Sequence, residues 1–140
     1  MAATDNKATY ERYLKEVWEN GNLDAIDDYL TPDFHNNDAI PTFGDGPAGE
    51  RKLIEGFRAA FDNFTTSVDS AVGEGDIIGV RWSAQGTHVA QFAGIPASGK
   101  RVTMLGVEHL RFENGKIAEV WVNFDFAGLL VQLGAMPAQG

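Results

Sequence analysis

Residues Gly106 to Gly134 read GVEHLRFENGKIAEVWVNFDFAGLLVQLG, and this stretch decides the fold. Two segments of strand character flank Asn114-Gly115, the dipeptide that best tolerates the positive φ angles of a tight hairpin turn. The second segment ends at Asp125, and a short apolar helix follows. Asp125 stands among Phe124, Phe126, Leu129 and Leu130, and an apolar setting raises a carboxyl pKa because the charged form loses its hydration. A carboxyl in that state is a candidate proton carrier. An aspartate just before a helix is equally an N-cap, accepting a backbone N–H two or three residues on.

Upstream of the hairpin, the pattern is strand after strand: Thr65 to Val72, a GEGD reversal, Ile77 to Gln85, a glycine-rich bend, His88 to Phe92, then a GIPASGK loop. The N-terminal half is helical instead. Tyr10, Tyr13, Leu14, Val17 and Trp18 recur at spacings of three and four, with Thr4 or Asp5 as cap and Gly21 as stop. Leu23, Ile26 and Leu30 share a face of a shorter helix that Thr31-Pro32 ends. Asp33 to Gly49 reads as a loop. Pro47 suits the first turn of a third helix, striped by Leu53, Ile54, Phe57, Ala60 and Phe61. Helices grouped before a run of strands predict an α+β domain, a cone-shaped curved antiparallel sheet packed on three N-terminal helices. Residues 1–140 form one domain in this reading, with the end from Met136 to Gly140 frayed.

Composition excludes several functions. The chain has 140 residues, 44% of them hydrophobic, which suffices for one core. A net charge of −9 repels a phosphate backbone, so no nucleic-acid partner is expected. With no cysteine there is no disulfide, thiolate metal site or cysteine nucleophile. The apolar runs are far too short to span a membrane, and MAATDNKATYERYL lacks the basic start and apolar core of a signal peptide. A cytoplasmic location is the expectation. The three histidines show no HxxxH or HExxH spacing, so no metal is expected. Acidic glycine turns such as Gly73-Glu74-Gly75-Asp76 repel phosphate, and no GxSxG elbow occurs.

The tryptophan of AEVW, the aspartate four residues later and the ending GLLVQLG resemble the C-terminal signature of SnoaL-like polyketide cyclases, members of the nuclear-transport-factor-2-like superfamily. YLKEVWENGNLDAIDDYLTPDF, VRWSAQGTHVAQFAGIPASGK and RFENGKI extend the likeness over nearly the whole chain. The resemblance implies the cone fold and a general acid/base aspartate at Asp125. That group would take a proton from a carbon flanked by carbonyls and return one to the oxygen formed by intramolecular aldol closure, with no cofactor. The family also carries a catalytic histidine on the preceding strand, which points to His109, and a histidine-aspartate pair after Pro32. There this chain has Asn37 in place of the histidine, with His35 and Asp38 as possible pocket groups or turn residues. His88, in a matching GTH segment, reads as structural.

Strand alternation sets Glu119, Trp121, Asn123 and Asp125 on one face, taken here as the pocket wall, and Val120, Val122, Phe124 and Phe126 on the other. Trp121 is either a core tryptophan or, with Trp82, a wall that stacks on a flat substrate, and Asn123 is either an exposed amide or a donor to an enolate oxygen. A two-residue turn pairs Glu113 with Lys116, hence Glu108 with Trp121 and His109 with Val120, facing away from Asp125. A three-residue loop brings His109 onto the Asp125 face, because a slip of one residue exchanges the faces of a strand. The leading function is acid/base chemistry on a small hydrophobic carbonyl compound. Alternatives are isomerase or epoxide-hydrolase chemistry, the latter needing Arg81 or Arg111 between two aspartates, and a non-catalytic binding or dimerisation module. A homodimer through Val107, Val120, Val122 and Phe124 is expected in every case.

Overall fold

The computed structural model describes residues 3–137, with side chains from Asp5 onward. Helix α1, Ala3–Tyr13, runs into a π-helical turn, Leu14–Glu19. The helix therefore contains both Thr4 and Asp5 instead of starting at them. Gly21, at φ 74°, ends the run, and the Arg58 side chain lies over its bare Cα and donates to the Trp18 carbonyl at 2.7 Å. A 3-10 turn, Leu23–Ala25, and the single turn α2, Ile26–Tyr29, follow. Then come β1 (Leu30–Asn36), α3 (Gly46–Ala60), β2 (Phe61–Glu74), β3 (Ile77–His88), β4 (Arg101–Glu113), β5 (Lys116–Phe124) and α4 (Phe126–Gln132).

The five strands form one curved open sheet in the order β1-β5-β4-β3-β2, antiparallel except for β1, which lies parallel to β5. The α+β cone is thus as expected, with one strand, β1, that the sequence did not reveal. Strand β1 takes in the end of the expected second helix and the start of what reads as loop. Pro32 stops a helix but is tolerated on an edge strand, and the β1–β5 register is irregular between Leu30 and His35, just where Pro32 lies. The expected strand at His88 to Phe92 is also corrected. Strand β3 runs through Gly86, which is glycine because a Cβ would come 2.7 Å from that of Phe61, and ends at His88. Beyond it, Phe92 makes only an isolated bridge to Ile95.

Two buried clusters fill the space between helices and sheet. One gathers Tyr10, Tyr13, Leu14 and Val17 of the N-terminal helix against Ile54, Ile78, Val80, Leu110 and Val120. The other joins Phe61, Phe64, Ala84, Val102 and Met104 to Leu129 and Leu133 at the C-terminal helix. The frayed end expected from Met136 lies outside the described residues from Ala138 onward.

The last hairpin closes as expected, with Asn114 and Gly115 at φ 50° and 80° and Glu113 opposite Lys116. Its register then changes. Phe112 pairs with Ile117 but Arg111 pairs with Glu119, so Ala118 is an extra residue in a β-bulge. From that point His109 lies opposite Trp121, and Glu108 opposite Val122. Turn length alone does not decide which face His109 takes, because one bulged residue has the same effect as a longer loop.

Candidate active site

The bulge fixes which side chains of β4 and β5 point inward. Val80, Trp82 and Ala84 of β3 lie opposite Glu108, Gly106 and Met104 of β4, and Gly106 and Glu108 lie opposite Phe124 and Val122 of β5. These face the helices. Trp82 lies across Gly106, where a Cβ would meet the indole at 2.2 Å, so glycine is required for the ring to lie flat on the sheet. Between this face and the helices is a cavity of about 360 Å³, within the range of small-molecule sites. Trp18, Phe57, Phe64, Trp82, Phe124 and Phe126 supply most of its wall, and Tyr10, Tyr13, Asn36, Glu50 and Glu108 its polar groups. Ile40 and Phe126 also border it, and at 45% and 40% exposure they mark its mouth.

Two carboxyls inside this cavity stand out. Glu108 accepts a hydrogen bond from the Tyr10 hydroxyl at 2.8 Å, and Glu50 one from the Tyr13 hydroxyl at 3.1 Å. Burial pushes Glu108 up to about 8, against the pull of its Tyr10 bond and with help from the charge of Glu50. Burial pushes Glu50 up to about 7, against its Tyr13 bond and with help from Asp45. Each keeps a modest accessible area that borders the cavity. Desolvation also holds both tyrosines well above their ordinary value. Burial thus brings both carboxyls into the range where protonated and ionised forms coexist near neutral pH. A site that can give and take a proton, walled by aromatics, is equipped for acid/base chemistry on a hydrophobic molecule.

Local structure explains both positions. Glu50 sits on α3 one turn ahead of Leu53 and Ile54 and two ahead of Phe57, on the stripe that faces the sheet. The start of that helix is held by Asp45, which accepts from the backbone N–H groups of Gly46 and Asn36, each at 2.7 Å, with Pro47 in the first turn. Tyr10 and Tyr13 reach the carboxyls from the end of α1, where the π-helical turn begins, and the same turn sets Leu14 and Trp18 on the cavity wall.

The sequence-predicted residues are placed differently. The β5 faces are inverted with respect to expectation: Val122 and Phe124 line the cavity, whereas Trp121 and Asn123 are exposed on the outer side of the sheet. Asp125 is exposed just beyond β5 and caps α4, its carboxylate accepting from the Gly128 N–H at 2.9 Å. The helix-cap reading of Asp125 is the one the geometry displays, and its expected apolar enclosure is absent because Leu129 turns into the core while Phe126 turns to the cavity mouth against Phe92 and Phe124. His109 shares the outer face with Trp121 and packs over Gly79, where a Cβ would lie 3.2 Å from the ring. Of the predicted residues, Trp82 and Asp38 line the cavity, Asp38 from an exposed position.

His35 and Asn37 join a surface network on the outer side of the β1 edge. His35 pairs with Asp45, and the bond raises the histidine's pKa. Asn37 donates to Glu119 at 2.9 Å, and Arg111 donates to the same carboxylate at 3.1 Å, both holding it below the usual range. His88 is buried beneath the loop after β3 and its Nδ1 accepts from the Ser98 N–H at 3.1 Å, a structural role. The expected subunit-pairing face is likewise divided, since Val107 is exposed on the outer side while Val120 is buried and Val122 and Phe124 face inward.

A second hollow, an open groove of about 370 Å³ on the outer face, is lined by Asp69, Arg81, Asn123 and Asp125. It brings an arginine near two aspartates, as epoxide opening would need. Among the described residues, however, no ion pair joins Arg81 to either carboxylate. Such an open surface also leaves water in place. Among the described residues, no three His, Asp or Glu side chains gather to hold a metal ion, and no helix is long and apolar enough to cross a membrane.

The two glutamates of the cavity leave a signal in the sequence. Glu108 interrupts an inward series of Val102, Met104, Leu110 and Phe112, and Glu50 interrupts a helical apolar stripe. A lone acid at an apolar period is the signal that would have found them.

Known proteins of the same architecture accompany this geometry. The chain is 28% identical over 123 residues to nogalonic acid methyl ester cyclase of Streptomyces nogalater, covering 86% of this chain and 92% of the relative. Its structure matches TsrD of Streptomyces laurentii with a TM-score of 0.87 at 27% identity, over 97% of this chain and 99% of the other. It matches AclR of Streptomyces galilaeus, a proposed hydroxylase, with a TM-score of 0.83 at 30% identity, over 99% and 91%. The sequence profile of SnoaL-like polyketide cyclases matches residues 8–133, and the chain belongs to that family.

Proposed function

We propose that the chain is a cofactor-independent enzyme that closes a ring by intramolecular aldol addition in a polyketide-like ester, with Glu50 and Glu108 as its proton-transfer pair. The observation that carries this reading is an aromatic cavity holding two carboxyls, each hydrogen-bonded to a tyrosine and raised by burial toward neutral pH. The ionised member removes a proton from a carbon between two carbonyls. The enolate carbon bonds to a second carbonyl carbon within the same molecule, and the resulting alkoxide takes the proton from the protonated member. A C–H bond breaks, a C–C bond forms, and the pair returns to its starting charge. The relative named for nogalonic acid methyl ester supports the choice of ester substrates. In this reading two copies pair through the outer sheet face, where Leu105, Val107 and Trp121 are exposed.

The test is turnover of a methyl-esterified polyketide precursor by three variants. Glu50→Gln and Glu108→Gln should each lower kcat at least a hundredfold, the ordinary worth of a positioned acid or base. Asp125→Asn should leave kcat within a few fold. Full activity in both glutamine variants with loss in Asp125→Asn would move the chemistry to the outer groove, and binding without turnover in the wild type would leave a ligand-binding module.

A further inference from the structure

The cavity has a charge character that the proposed chemistry does not require. Its charged lining is wholly acidic: Glu50, Glu108 and Asp38 stand beside the phenols Tyr10 and Tyr13 and the neutral Asn36 and Thr66, and among the described residues no lysine, arginine or histidine contributes to the wall. Asp38 is exposed toward the mouth, where its carboxylate accepts from the Val122 N–H at 2.8 Å. Inside, the hydroxyls of Tyr10 and Tyr13 are spent as donors to the two glutamates, so their remaining capacity is as acceptors. The walls between present faces and edges of six aromatic rings. Trp82 and Phe124 stack at 16°, and Trp18 and Phe64 at 25°.

An anionic head has no donor of positive charge to meet here, and it would confront carboxyls on entry and at its seat. A cation gains on every count. Aromatic faces attract it through their quadrupoles, phenol oxygens accept its N–H groups, and a carboxyl can ionise to pair with it. We propose, resting on the active-site reading of this cavity, that it selects guests by charge, binding a flat aromatic amine more tightly than the matching neutral alcohol and rejecting the matching carboxylate. Ionising Glu108 for the amine at pH 7 costs about tenfold, since its ordinary folded value is about 8, and the close ammonium partner offsets more than that. The substrate class that follows is a ring system whose acid groups are masked as esters or amides, with basic amino substituents accepted.

Three isosteric probes test the claim by calorimetry at pH 7.5: 2-naphthylmethylamine, 2-naphthylmethanol and 2-naphthoic acid. The amine should bind at least tenfold tighter than the alcohol, and the acid weaker than either. The double variant Glu50→Gln/Glu108→Gln should remove the preference for the amine. Glutamine copies the size and the protonated charge of each carboxyl, so the fold is kept. Asp125→Asn should leave the order unchanged, which separates the cavity from the outer groove. Equal or tighter binding of the acid, survival of the order in the double variant, or no binding of any probe overturns the inference. Its failure leaves the ring-closure reading standing, because that depends on loss of turnover and not on the order of these affinities.

Discussion

Raising the pH through neutrality should destabilise this protein, the reverse of what an ordinary paired carboxylate does. Unfolded, Glu50 and Glu108 release their protons near 4.5; folded, they keep them until about 7 and about 8. Below the lower value both states are protonated and the contribution is whole. Between about pH 5 and 7 the folded chain binds the two protons that the unfolded chain has lost, so the unfolding free energy falls with each unit of pH. The slope is about 1.4 kcal/mol per unit for each carboxyl, about 2.7 kcal/mol for the pair as an upper bound, and it vanishes above about pH 8 where both states are ionised. His35, raised by its bond to Asp45, adds a loss of the same sign from an exposed site, whereas Asp45 and Glu119, both lowered, act only in the acid range. Urea titrations at half-unit steps measure the slope. Glu50→Gln and Glu108→Gln, each locked in the protonated charge, should flatten it by about half apiece. A wild-type stability that is flat or rising between about pH 5 and 8, or variants that keep the full slope, would refute the placement of these carboxyls in a water-poor cavity.

Three further outcomes follow from the geometry. Asp125→Ala removes the cap of α4 and should cost about 1 kcal/mol in urea unfolding while leaving any bound guest's affinity unchanged. Gly106→Ala puts a Cβ at 2.2 Å from the Trp82 indole, so it should shift tryptophan fluorescence and destabilise by about 1–3 kcal/mol, whereas a mere loss of glycine flexibility would leave the spectrum alone. Leu105→Lys on the outer face should turn a dimer into a monomer in sedimentation equilibrium without unfolding it, since Leu105 is 48% exposed in the single chain.

Much of the architecture could be read before any coordinates because its signals are local. The Asn114-Gly115 turn, the stop at Gly21, Pro47 in the first turn of α3 and the apolar stripes of α1 and α3 each depend on a handful of neighbouring residues. What escaped depends on contacts far apart in the chain. Strand β1 exists because β5 offers it an edge, and no periodicity within LTPDFHN announces that. The Ala118 bulge is one residue long, yet it turns Glu108 inward opposite Val122 and leaves His109, Trp121 and Asn123 outside. Alternation was right for β5 and the choice of face was wrong, because Val120, Val122 and Phe124 carry the apolar area that the helices need. Asp125 drew notice through its apolar neighbours in sequence, but those neighbours leave the chain in different directions once α4 begins.

A crystal structure with a bound ring-closed product or a stable analogue of it tests the location of the chemistry most directly. The ring system should lie between Trp18, Trp82 and Phe124, with the oxygen formed on closure within hydrogen-bond reach of Glu108 or Glu50. A product lying instead in the outer groove, its oxygen on Asp125 and the interior cavity empty, would contradict that assignment.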